Sequence, residues 1–269
     1  MTNPAAKRLK PFVASAAVLL ASTGLSGCFF AFSETPGVPL DELDMSGAAP
    51  TEIGLAGPDD VILTVGEELA ITVEGDDSVV EDLRFDLNGK ELDIGRQRDW
   101  SDMTGKAVIR ITMTAPREID LAGSGTITAP AVASDTEISI AGSGRLTISE
   151  IAAGRMEIDM AGSGEITGAG TVERLEISSA GSSTVSFAKV NANDVEISTA
   201  GSANIDLASD GSVKASMAGS GKINVVGDAK CELDSVGSGS LNCKAKPAED
   251  AARALANEAT DEATGEEAE

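Results

Sequence analysis

The chain has 269 residues, 20 Lys and Arg against 44 Asp and Glu, a net charge of -24, and neither histidine nor tyrosine. That balance argues against a nucleic-acid partner, whose phosphates such a surface repels. Missing histidine removes the commonest general base and metal ligand together, although carboxylates, Lys or Ser still permit catalysis.

Lys7, Arg8 and Lys10 precede an uncharged apolar run from Phe12 to Leu25, the layout of a secretory signal. The run is too short to span a bilayer comfortably. It closes on Leu25-Ser26-Gly27-Cys28, which resembles the lipobox of bacterial lipoproteins. Small residues there admit a peptidase to the backbone, and the cysteine thiol takes a diacylglyceryl group before becoming the new N-terminus. Residues 1–27 are therefore expected to be removed and Cys28 lipidated, and acyl chains on one residue anchor a protein to the membrane without a transmembrane helix. Phe29 stands where an Asp would retain a lipoprotein at the inner membrane of enteric bacteria, which favours the outer membrane. Residues 28–49, with Pro36, Gly37, Pro39 and Gly47, read as a tether.

Residues 50–116 read as a small antiparallel β region that caps the open N-terminal end of a repetitive domain. Leu83 to Leu87 and Leu92 to Ile94 flank Asn88-Gly89, a hairpin turn signal, and Val61 to Val65, Leu69 to Val73 and Val108 to Met113 alternate similarly.

From residue 117 to 245 an Ala-Gly-Ser-Gly element or a near copy recurs, its first glycine at Gly123, Gly142, Gly162, Gly181, Gly201, Gly219 and Gly237. A period of 18 to 20 residues suits one coil of a β-solenoid and is too short for paired helices. Aligned on that glycine, the positions four before and four after it are apolar in every copy, from Ile119 and Ile127 to Leu233 and Leu241. Alternate positions are polar, so each copy is two strands with one buried face around a glycine corner. Val132, Ile151, Val172 and Val190 suggest a third, shorter side. Stacking the coils would bury one continuous core, which no single coil could form alone. Gly168 is the one glycine at its inward position and Phe187, one coil away, the one aromatic, a volume compensation that close packing demands. The expected fold is therefore all-β, a solenoid of about seven coils.

Cys231 and Cys243 occupy inward positions of the last coil and can pair outside the cytoplasm. Opposed sheets lie about 10 Å apart, beyond disulfide reach, so the bond requires that coil to pinch. On the outward face, five residues before each corner, stand Glu118, Glu137, Glu157, Glu176, Glu196, Lys214 and Glu232. This stripe is the candidate binding face, for divalent cations or a basic partner, although solubilising the sheet would also account for it. Residues 246–269, Ala, Glu, Asp and Thr with no aromatic residue, read as a disordered acidic tail. No Asp row follows the corners, where Thr126, Arg145, Glu165 and Thr184 stand, so the calcium-binding nonapeptide pattern is absent and no metal or cofactor is expected.

The Asn-Gly hairpin, the apolar strand ending near Pro116 and the glycine-serine corners together resemble the head GIN domain family, described as auto-transporter adhesins, over roughly Thr51 to Lys244. The resemblance implies a β-helix with an adhesive role and carries no catalytic or metal site. The expected function is thus a membrane-anchored, non-catalytic adhesion or binding module of the cell envelope, with a glycan or protein ligand at the cell surface. A glycan-cleaving β-helix enzyme and a purely structural envelope protein are the alternatives; the coils lack the long inserted loops that would build a substrate cleft.

Overall fold

Period-two alternation governs nearly the whole folded chain in the computed structural model, which describes residues 37–97 and 105–245. The expected signal segment, Cys28, the first nine residues of the expected tether and the expected acidic tail lie outside those residues. After a 3-10 turn at Leu40–Glu42 come β1 (Glu52–Gly57), β2 (Asp60–Val65), β3 (Ala70–Glu74), a short helix α1 (Asp77–Val80), β4 (Leu83–Asn88), β5 (Glu91–Arg96) and β6 (Val108–Met113). The repeats supply β7 (Glu118–Gly123), β8 (Thr126–Ala131), β9 (Asp135–Gly142), β10 (Arg145–Gly162), β11 (Glu165–Gly181) and β12 (Thr184–Gly201). They finish with β13 (Asn204–Ala208), β14 (Ser212–Gly219), β15 (Lys222–Val226), β16 (Lys230–Gly237) and β17 (Ser240–Lys244).

The seven glycine-cornered coils stack in parallel with their corners in register, Gly123 on Gly142 and so on to Gly237. β10, β11 and β12 each run through the third side without a break, where Ile151, Gly170 and Val190 stack on one another. A corner must be glycine for two reasons visible at Gly142: its φ is +117°, and a Cβ would collide with the Gly123 carbonyl of the neighbouring coil. The inward rows form one core, with Ile119, Ile138, Ile158, Ile177 and Ile197 all buried.

The antiparallel region before the repeats consists of two strand pairs. β4 and β5 pair across the Asn88-Gly89 turn, Leu87 opposite Leu92, and β3 pairs with β6. Unanticipated is that β1, β2, β5 and β6 also stack in parallel as two further coils. β1 lies between β5 and β7, and β2 between β6 and β8. The reason is visible in the chain: Glu52-Ile-Gly-Leu-Ala-Gly57 matches Glu118-Ile-Asp-Leu-Ala-Gly123 at five of six positions, so it offers the same inward pair and the same corner. The coil that comes first in sequence is thus inserted between two that come later. Asp59, buried at its corner, accepts from Arg96 Nε at 2.9 Å and from the Ala107 N–H at 2.7 Å, joining this coil to the next.

Candidate binding face

The strands β4, β5, β1, β7, β9, β10, β11, β12, β14 and β16 form one long sheet side, and its outward positions form straight columns. The glutamate column is longer than the seven repeats supply: Glu91, Glu52, Glu118, Glu137, Glu157, Glu176 and Glu196 follow one another without interruption, before Lys214 and Glu232. The expected site residues Glu118, Glu137, Glu157, Glu176, Glu196 and Glu232 therefore share one column. Glu52 and Glu91 were missed because their coils lack the Gly-Ser-Gly corner, although the Glu52–Gly57 hexapeptide carried the signal. A second column alternates Asp93, Asp120 and Asp159 with Gly54, Ser139, Ser178 and Ser198, and a third is mostly alanine.

Charge along this face is uneven. In the middle, Arg155 lies 2.7 Å from Glu157 and 3.9 Å from Glu176. Nearer the N-terminal end the carboxylates crowd one another instead. Partial burial, then the neighbouring Asp120, Glu137, Glu52 and Glu91, push the Glu118 carboxyl up to about 7. Burial, with Glu91, Asp86 and Asp120 beside it, pushes Asp93 up to about 7 as well. Glu91, Asp120 and Glu137 are raised too, each chiefly by burial. Carboxylates about 4.8 Å apart on stacked strands repel, and removing water from between them strengthens that repulsion. Lys90, Arg117 and Arg155 rim a polar hollow of about 350 Å³ beside Glu52, Glu118, Glu137 and Glu157. Among the described residues no three such side chains converge on a point that would hold a metal ion.

Toward the C-terminal end the same face changes character. The serine and alanine columns leave a furrow of about 480 Å³, floored by Ala161, Ala180, Ala200 and Ala218 with Ser178, Ser198 and Ser216. It extends from Ser139 in β9 to Val236 in β16, about 24 Å at the usual strand spacing. The hydroxyls of Ser179 and Ser183 are buried and hydrogen-bonded to each other.

At the last coil Cys231 and Cys243 are bonded, their Cα atoms 6.7 Å apart, so the two sheet sides draw together there. No helix among the described residues is long and apolar enough to cross a membrane. No curated protein matches the chain. Several solved structures share the fold. A protein from Bacteroides fragilis titled a putative adhesin is 19% identical with a TM-score of 0.64, covering 73% of this chain and 93% of that one. Parabacteroides distasonis contributes two. One, titled a putative lipid binding protein, is 22% identical with a TM-score of 0.56 over 73% and 93% of the two chains. The other, titled a putative adhesin, is 16% identical with a TM-score of 0.55 over 74% and 94%. Residues 49–229 match the family described as "Putative auto-transporter adhesin, head GIN domain", and the chain belongs to it.

Proposed function

We propose that this protein is a lipid-anchored adhesion module of the cell envelope, without catalytic activity, which binds through the glutamate column of its long sheet side. The observation that carries the reading is the uninterrupted run from Glu91 to Glu196 on a rigid sheet. Keeping like charges in register over seven strands costs stability, and such a column attracts a basic surface over roughly a Debye length. Changing Glu137, Glu157, Glu176 and Glu196 together to Gln is expected to abolish binding to cells or glycan arrays while leaving the circular dichroism spectrum unchanged. Wild-type binding should weaken as salt rises from about 50 to about 500 mM. Equal binding by the quadruple variant would overturn the assignment of this face.

The anchor is tested separately: cells fed labelled fatty acid should label the wild-type protein and not Cys28→Ser. Release of unlabelled wild-type protein into the medium would sink it. A second reading, acyl-chain binding, is favoured by the apolar furrow and by the name of the Parabacteroides distasonis relative. Filling the furrow with Ala180→Leu and Ser198→Leu should then abolish uptake of a fluorescent fatty acid; no uptake by the wild type would dismiss this reading.

A further inference from the structure

The two ends of the solenoid are finished differently. At the N-terminal end β3 and β4 pair antiparallel with the outermost coil, their inward residues Ile71, Leu83 and Phe85 are buried, and Leu40 and Leu43 pack on the core. At the C-terminal end, among the described residues, β16 pairs only with β14 and β17 only with β15. Leu233, inward-facing, is 37% exposed, whereas Ala215, which occupies its place one coil earlier, is 4% exposed. The outer side of both strands offers backbone N–H and C=O groups to another strand, the template that promotes association between chains.

We infer that this end joins a second copy of the chain, end to end about a two-fold axis, with β16 antiparallel to its counterpart and β17 to its own. This does not depend on what the outer face binds. The covered N-terminal end offers no apolar row, so only C-terminal ends meet, and a like-with-like contact closes at two copies instead of growing a fibre. Charge sets the register. Residues directly opposite on antiparallel strands point to the same side, so the axis passes through a residue. Centred on Glu232, it sets Lys230 of each copy opposite Asp234 of the other, two opposite-charge pairs against the single like pair at Glu232 itself. Moved to Cys231, it would set Asp234 against Asp228 twice; moved to Leu233, it would set Glu232 against Asp234 twice. The same axis serves β17, because Cys231 is bonded across the coil to Cys243 and Glu232 therefore lies across from Asn242. A side-chain ladder ends there: Asn224 donates to Asp206 at 2.6 Å and Asn242 to Asn224 at 3.3 Å. Asn242 of the second copy would continue it. Inside, Leu233 and Leu241 of each copy lie opposite Cys231 and Cys243 of the other and close over its disulfide.

Sedimentation velocity on the whole protein at about 50 mM salt tests this, comparing the wild type with Lys230→Glu, Asp234→Lys and the double variant. The contact, two strands about 26 and 17 Å long, is small for an interface, so the wild type is expected to dimerise with a midpoint in the tens of micromolar. Each single variant sets like charges opposite one another and should weaken the dimer by about tenfold or more. The double variant restores opposite charges and should dimerise as the wild type does. All the substituted residues are exposed, so the circular dichroism spectrum should not change. A wild type still monomeric at about 500 µM, well above that expected midpoint, would overturn the inference. So would a dimer that both single variants leave intact, or one that the double variant fails to rescue.

Discussion

At the scale of single residues, the interior is fitted by exchanges of volume between neighbouring coils. A Cβ on Gly168 would stand 2.6 Å from Ile151 Cδ1 and 3.1 Å from Phe187 Cε1, so the fully buried ring uses the space that the glycine vacates. Gly168→Leu should therefore lower stability by about 1–3 kcal/mol through overpacking, read as a drop in the thermal midpoint; an unchanged midpoint would contradict the register. Adding Phe187→Leu should recover part of the loss. This pair was legible in the sequence because both residues occupy the same repeat position. A second exchange was not. At Gly164 a Cβ would meet Ile140 Cγ2 at 2.7 Å, yet the equivalent corner position in the next coil is Ser183, whose hydroxyl is met by Ser179 where other coils carry Leu121, Ile140 or Met160. It couples a corner with a strand, and an alignment read one column at a time does not show it.

At the scale of strands, the column of carboxylates sets how stability depends on pH. Glu118 and Asp93 are pushed up to about 7, above the values an unfolded chain would have. The folded state therefore binds more protons than the unfolded one between about pH 4 and 7, and stability falls as pH rises through that window. Thermal midpoints should be higher at pH 5 than at pH 8. Glu118→Gln should raise the midpoint at pH 8 and leave it nearly unchanged at pH 5; a wild type more stable at pH 8 would contradict the repulsion. The glutamates of the repeats were legible from spacing alone and Glu52 from its likeness to the Glu118–Gly123 strand, whereas Glu91 joins them only through pairing between distant strands. The Asp59–Arg96 pair was hidden for the same reason. Both side chains are fully buried, and Arg96→Ala would leave Asp59 charged in the core. That variant should lose about 3–5 kcal/mol in urea unfolding, the range for a broken buried pair.

At the scale of the whole molecule, the periodic coils were readable because each touches only its neighbours, so one repeat describes all. The order of the first coils was not readable: strands β3 and β4 and helix α1 interrupt the period between Gly57 and Gly123, and nothing local records that β5 and β6 return to the far side of β1 and β2. That insertion has a mechanical meaning. Any pull on the chain before Gly37 first meets the Val38–Phe85 bridge, two hydrogen bonds of 2.8 Å, which can give way singly. The load then reaches β1, which is laced to β5 on one side and β7 on the other. An edge strand peels from one partner, one bond after another, but β1 cannot move until two ladders shear together. The solenoid is therefore gripped from within its stack, and a force arriving through the leading segment is spread over strands on both sides before any coil can open.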